Sequence, residues 1–222
     1  HLGRGPVTSP SELEILRKRM VEEQLIPRGI YDPATISAMR NVPRHLFVPE
    51  NAVAYAYEDR ALPIGFGQTI SQPYIVAYMT EALELTPDSR VLEIGTGSAY
   101  QAAILGEITH HVYTIEIIPE LASSARKLLN ELGYDYVASK QGDGYYGWEE
   151  EAPFDGIIVT AAADHVPPPL ISQLRPGGVM IIPVGTPQGI QILMRLRKLE
   201  DGSIVRDGLL YVRFVPLTGG IR

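Results

Sequence analysis

Residues 88–117 read DSRVLEIGTGSAYQAAILGEITHHVYTIEI. Arg90 to Ile94 is short, apolar and β-branched, the composition of a strand buried on both faces of a parallel sheet. It runs into the turn Gly95-Thr96-Gly97. An apolar helical segment, Ser98 to Ile108, follows, and then a second strand, His111 to Ile117, with Glu116 near its end. Strand, glycine turn, helix and strand with a terminal acid form the βαβ layout of a nucleoside-cofactor site. The spacing is Gly95-x-Gly97-x-x-Tyr100. A dinucleotide fingerprint needs glycine where Tyr100 stands, so that helix and strand approach closely beside a pyrophosphate. Tyr100 therefore argues against a nicotinamide or flavin dinucleotide. No Gly-Lys-Ser/Thr occurs in the chain, so a phosphate-cradling P-loop is unsupported too. What fits is a small, non-phosphorylated cofactor over the strand ends, with Glu116 accepting both ribose hydroxyls. Adenosine with a sulfonium side chain suits this better than a dinucleotide. Glu93, Gly95, Thr96, Gly97, Ser98 and Glu116 are the cofactor candidates here.

Working outward, Tyr136 to Ala138 is read as a third strand, followed by the turn Gln141-Gly142-Asp143-Gly144. That turn falls at the carboxyl edge of the sheet. Asp143, with Gly144, is placed there to accept from an adenine amino group; a plain Asp-Gly turn is the alternative. Phe154 to Thr160 and Val179 to Val184 are the fourth and fifth strands. Gln191 to Lys198 and Leu209 to Pro216 are expected to pair antiparallel at one edge. His165 has no companions at metal-ligand spacing and is read as a local hydrogen-bonding residue.

Upstream, Pro63 to Pro73 is bounded by glycines and prolines and is read as a polar, flexible loop. Such a loop can offer backbone N–H groups to an anion. Ser71 stands just before Gln72-Pro73, where a helix begins. It reads either as a helix cap or as a hydroxyl that positions a substrate carboxylate. Earlier still, Ser11-Glu12-Leu13-Glu14 reads as a capping box opening a helix to about Ile26. Asp32-Pro33 opens a second helix, ending near Val42-Pro43. His1 to Pro10 is read as a loose lead-in.

Bulk properties fit one α/β domain. The chain has 222 residues, 45% of them hydrophobic, and 19 basic against 26 acidic residues give a net charge of -7. That charge offers no basic footprint for nucleic acid. There is no cysteine, which removes disulfides and thiol catalysis and suits a reducing compartment. No apolar run approaches the roughly eighteen residues that span a membrane.

Several further segments carry a family resemblance: Met20-Val21-Glu22-Glu23-Gln24-Leu25 with Gly29-Ile30; Ala38 through Pro49; Gly67-Gln68-Thr69-Ile70-Ser71-Gln72-Pro73; Leu92 through Ser98; Thr114-Ile115-Glu116; Pro176-Gly177-Gly178; and Phe214-Val215-Pro216-Leu217. The chain resembles the protein-L-isoaspartate O-methyltransferases, within the Rossmann-like enzymes that use S-adenosylmethionine. The resemblance spans nearly everything after about Ser11. It implies a three-layer sandwich on a mostly parallel sheet, with an antiparallel C-terminal edge. Residues 1–222 would form a single domain, with 11–62 as an N-terminal helical addition. It implies methyl transfer to the free α-carboxylate of L-isoaspartyl residues in damaged proteins and peptides, leaving S-adenosylhomocysteine, without a metal. Ser71 would hold that carboxylate, together with backbone N–H groups of Gln68, Thr69 and Ile70. A monomeric, cytoplasmic enzyme with no nucleic-acid or membrane partner is expected. One departure is Ala99, where this family usually has glycine. The rival readings are a methyltransferase acting on another carboxylate or a small molecule, a nicotinamide oxidoreductase, and a non-catalytic cofactor-binding module.

Overall fold

The computed structural model describes residues 9–220. Its centre is a seven-stranded sheet in the order β5-β4-β3-β6-β7-β8-β9. The strands are β3 (Arg90–Ile94), β4 (His111–Glu116), β5 (Ala138–Gln141), β6 (Phe154–Val159), β7 (Leu174–Gly185), β8 (Gln191–Lys198) and β9 (Ile204–Val212). β5, β4, β3, β6 and β7 run parallel; β8 and β9 add antiparallel. Chain order reverses between β3 and β6, so the crevice over their carboxyl ends is the switch point where ligands bind in open α/β sheets. The Rossmann-like architecture and its antiparallel edge are as the sequence implied. Several boundaries differ. β7 already starts at Leu174 rather than Val179, and β9 at Ile204 rather than Leu209. β5 starts at Ala138 rather than Tyr136, and β9 ends at Val212, so Phe214 to Pro216 leaves the sheet. That departing segment returns to the switch point, where Pro216 bridges to Ala162.

Both faces of the sheet are covered. On one face α3 (Pro73–Ala82), α4 (Tyr100–Ile108) and α5 (Pro119–Glu131) share a buried cluster with α1 (Pro10–Arg19) and α2 (Pro33–Asn41). On the other, α6 (Pro168–Gln173) contributes Leu170 to a cluster with Ile94, Phe154 and Ile182. α1 starts two residues earlier than expected. Its cap is Ser9, whose Oγ accepts from the Glu12 N–H, with Pro10 in the first turn. The helical path continues through a π turn at Met20–Leu25 and stops at Gly29, φ 96°. Of the lead-in expected over His1 to Pro10, residues 1–8 lie outside the described residues, while Ser9 and Pro10 cap and open α1. α2 is capped as expected: Asp32 Oδ2 accepts from the Thr35 N–H at 3.1 Å.

The N-terminal helices dock through Tyr100, which is fully buried at the start of α4. The Arg44 guanidinium sits 4.9 Å from the Tyr100 ring centroid, and Phe47 meets that ring edge-on at 5.6 Å. Arg44 is buried as well. Its Nε donates to the Ala56 carbonyl at 2.6 Å, while neither Nη finds a partner among the described residues. Burial lowers the Arg44 pKa and raises that of Tyr100, each opposed by the other's presence. The side chain that departs from the dinucleotide pattern is thus the contact that seats the N-terminal layer.

Pro63 to Pro73 is not a flexible loop. β1 (Leu62–Gly65) and β2 (Gln68–Ile70) form an antiparallel hairpin, pairing Leu62 with Ile70 and Pro63 with Thr69. Phe66 and Gly67 make its turn, with φ 55° and 70°. Positive φ at both central residues matches the twist of a two-residue hairpin. Phe66 accepts the left-handed conformation while its ring stays exposed.

Candidate active site

The glycine turn is held from below. The N–H groups of Gly95 and Thr96 both donate to the Ile115 carbonyl, at 2.9 and 3.2 Å, tying the turn to β4. Gly95 has φ 95°, and a Cβ there would sit 2.8 Å from Thr160 Oγ1. Glycine is needed on both counts. Ala99, at the cap of α4, also takes the left-handed conformation, with φ 73°. This is the geometry that favours glycine, held here by a non-glycine residue whose methyl is wholly buried. The turn keeps its bonds around it: the Ala99 N–H donates to the Thr96 carbonyl at 2.9 Å.

Beneath the turn lies a hydrogen-bonded chain. The parallel register puts Thr114 of β4 beside Glu93 of β3. Thr96 Oγ1 and Thr114 Oγ1 are 2.5 Å apart, and Thr114 Oγ1 donates to Glu93 Oε1 at 2.6 Å. Glu93 is completely buried, and its Oε2 has no partner among the described residues. Burial, followed by the nearby Glu116 charge, pushes its pKa up to about 8 against the Thr114 hydrogen bond, which pulls it down. Burial thus favours the protonated form of Glu93, which has one oxygen left to pair with a ligand or water.

Glu116 sits where β4 ends. Its Oε1 accepts from the Gly97 N–H at 2.7 Å and its Oε2 from the Ile118 N–H at 3.0 Å. Each oxygen retains a lone pair. The carboxylate is oriented by backbone and still able to accept two hydroxyls. Gly144 forms another wall, because a Cβ there would collide with Ile94 Cγ2. Asp143 already accepts two backbone N–H groups. Its Oδ1 accepts from the Tyr145 N–H at 3.0 Å and its Oδ2 from the Gly220 N–H at 2.6 Å. The carboxylate thus closes the C-terminal segment over one end of the site.

One cavity gathers these pieces. Glu93, Gly95, Thr96, Gly97, Ser98, Glu116 and Gly144 line it, and so do Gln68, Thr69, Ile70 and Ser71 from the hairpin. Asp143 is not among its lining residues. Ser71 is not a helix cap: Gln72 holds that position in α3, without a side-chain cap bond. β2 pairs only with β1, so its outward N–H groups are free of a sheet partner on the other side. Three contributors escaped the sequence reading. Thr160, at the end of β6, donates to the Gly95 carbonyl at 2.8 Å. Gln101 lines the cavity from α4 and donates to Thr80 Oγ1 at 2.9 Å. Val215 to Thr218 lines the cavity as well. Thr160 was findable, since it ends an apolar strand at the ligand edge; the return of Val215 to Thr218 had no local signal. His165 bonds Tyr145 Oη through Nε2 at 2.8 Å and Asp164 through Nδ1, a local role as expected. Among the described residues, no group of three or more His, Asp or Glu side chains could hold a metal.

A sequence model described as "Protein-L-isoaspartate(D-aspartate) O-methyltransferase (PCMT)" matches residues 16–222. Protein-L-isoaspartate O-methyltransferase 1 of Nitrosospira multiformis is 55% identical over 214 residues, 96% of this chain and 91% of that protein. Protein-L-isoaspartate O-methyltransferase 2 of Syntrophobacter fumaroxidans is 60% identical over 195 residues, covering 88% of this chain and 79% of that one. The fold also matches a crystal structure from Plasmodium falciparum, described as a putative protein-L-isoaspartate O-methyltransferase in complex with S-adenosyl-L-homocysteine. Its TM-score is 0.77 at 27% identity, over 91% of this chain and 98% of that one.

Proposed function

The chain belongs to the protein-L-isoaspartate(D-aspartate) O-methyltransferase family, and from that premise we propose how its own residues divide the work. The enzyme transfers a methyl group from S-adenosylmethionine to the free α-carboxylate of L-isoaspartyl residues in proteins and peptides. The ester so formed closes to a succinimide, which can reopen as normal aspartate.

The single observation that carries the residue assignment is the shared cavity. The glycine turn, Glu116 and the hairpin ending at Ser71 line one space at the switch point of the sheet. The residues fit an adenosyl cofactor on three counts: two lone pairs remain on an oriented Glu116, Glu93 has an unpartnered oxygen, and Gly95 and Gly144 leave room that a Cβ would fill. We assign Glu116 to the ribose and Gly95 to Ser98, backed by Glu93, to the methionine part. Asp143 and Gly144 take the adenine end, where Asp143 also anchors the C-terminal segment.

When bound, the sulfonium supplies an already activated methyl group, so no strong base is required. The chain's task is placement and exclusion of water. Ser71 and the outward N–H groups of β2 donate to the substrate carboxylate and fix its direction. Ser71 has no hydrogen-bonded histidine or carboxylate among the described residues, which suits a donor rather than a covalent nucleophile. Val215 to Thr218, which also line the cavity, help to exclude water from the reacting centre. A cytoplasmic, monomeric enzyme belongs to the same reading; light scattering tests the monomer.

The deciding experiment measures radiolabelled methyl transfer from S-adenosylmethionine to paired isoaspartyl and aspartyl peptides. Labelling of the isoaspartyl member alone is expected. Equal labelling of both, or none, would sink the assignment and favour another carboxylate acceptor or a binding module.

A further inference from the structure

A second groove adjoins the active-site cavity. Thr69 and Ser71 line both, so the groove opens where the substrate carboxylate is placed. Its far wall is the end of β9 and the residues after it, Tyr211 to Phe214. Along this wall the side chains alternate. Val212 and Phe214 are buried, while Tyr211 and Arg213 are exposed. Gln191 fixes the backbone on both sides of Arg213: it pairs with Val212 in the sheet, and its Oε1 accepts from the Phe214 N–H at 2.7 Å.

Among the described residues, Arg213 is the only charged one lining the groove. Among the described residues it joins no ion pair or hydrogen bond. Asp59, which is bonded to the groove residue Gln72, is engaged elsewhere. It accepts from Gln72 Nε2 at 2.6 Å and pairs with the Arg28 guanidinium, also at 2.6 Å. The groove offers the residues flanking an isoaspartyl carboxylate at Ser71 a path past the Arg213 guanidinium.

We propose that Arg213 sets sequence preference in the substrate, binding the side-chain carboxylate of an acidic residue that flanks the isoaspartyl residue. The proposal rests on the methyl-transfer reading above and deepens it. Guanidinium and carboxylate are matched in geometry as well as charge. The apolar walls, Ile190 and the Tyr211 ring, pack the stem of that flanking residue.

The test uses short isoaspartyl peptides with glutamate, glutamine or lysine at the position before or after the isoaspartyl residue. kcat/KM is measured for the wild type, Arg213→Gln and Arg213→Glu. At one of the two positions the wild type is expected to rank glutamate above glutamine above lysine, by about two- to fivefold per step. The spread should shrink between about 50 mM and about 500 mM salt. The ranking should flatten in Arg213→Gln and invert in Arg213→Glu, an inversion that loss of a merely structural contact would not produce. A wild type indifferent to charge at both positions, or an identical ranking in all three proteins, overturns the proposal. Methylation of the isoaspartyl peptides would meanwhile still stand. Failure to label any isoaspartyl peptide would instead overturn the function on which the proposal rests.

Discussion

Replacing Glu93 by glutamine should abolish a pH dependence of stability that the wild-type chain carries. The acid is fully buried, with one oxygen bonded to Thr114 and the other unpartnered, and its pKa stands at about 8 against an ordinary 4.5. Below pH 4.5 the group is neutral in both folded and unfolded chains. Between there and about 8 the unfolded chain releases its proton while the folded chain keeps it, so the native state binds more protons and stability falls as pH rises. At about 1.4 kcal/mol per pH unit, the loss by pH 8 is roughly 5 kcal/mol from this one side chain. Glutamine keeps an acceptor for Thr114 and offers a neutral amide to the space below the turn. Urea unfolding of both proteins without cofactor, at about pH 5, 6.5 and 8, reads the difference. The variant should match the wild type closely at the lowest pH and exceed it by several kcal/mol at the highest. Parallel pH profiles would show that Glu93 ionises freely in the folded chain, and the account of its burial would fail.

Four other outcomes follow from the same geometry. Ser71→Ala should lower kcat/KM toward isoaspartyl peptides by roughly five- to 150-fold, as for loss of one bond worth ~1–3 kcal/mol, with cofactor affinity unchanged; an unchanged kcat/KM would remove the hydroxyl from the mechanism. Glu116→Ala should weaken S-adenosylhomocysteine binding at least tenfold by calorimetry, since it loses charge-assisted acceptors and frees the Gly97 amide. Gly144→Ala should destabilise by about 1–3 kcal/mol and impair cofactor binding, because the new Cβ meets Ile94 of the central strand. Ala99→Gly should shift stability by less than about 1 kcal/mol: relief of left-handed strain is offset by a lost buried methyl and a more flexible unfolded chain. A denaturation midpoint displaced by much more would mean that the strain reading is wrong.

The central βαβ unit was legible because its signals are local. Arg90 to Ile94 is apolar throughout, and the turn and the terminal acid follow at fixed spacing. Other features were ambiguous in kind. Ser9 and Ser11 each precede a glutamate by three residues, so the capping pattern alone fits both; Pro10, free to occupy only the first turn, favours the earlier one. The hairpin was missed because its turn uses Phe66 at positive φ, outside the Asn-Gly and Asp-Gly pairs that advertise such turns. Ser71 was correctly placed near a helix start, yet its alternative role as a cap depended on geometry one residue away. Asp143 shows the harder limit. Its turn was plain in the sequence, but one partner of its carboxylate, Gly220, comes from the far end of the chain.

Tyr100 has a consequence for redesign. The residue that departs from the dinucleotide pattern is also the keystone under which Arg44, Phe47 and Met39 assemble. Installing glycine there, the first step toward a nicotinamide site, would open a void on the order of an aromatic side chain, costing ~3–5 kcal/mol. It would also strip a buried guanidinium of the ring that faces it. Cofactor choice and attachment of the N-terminal helices are therefore one constraint in this chain, and any engineered or natural drift in the first must rebuild the second.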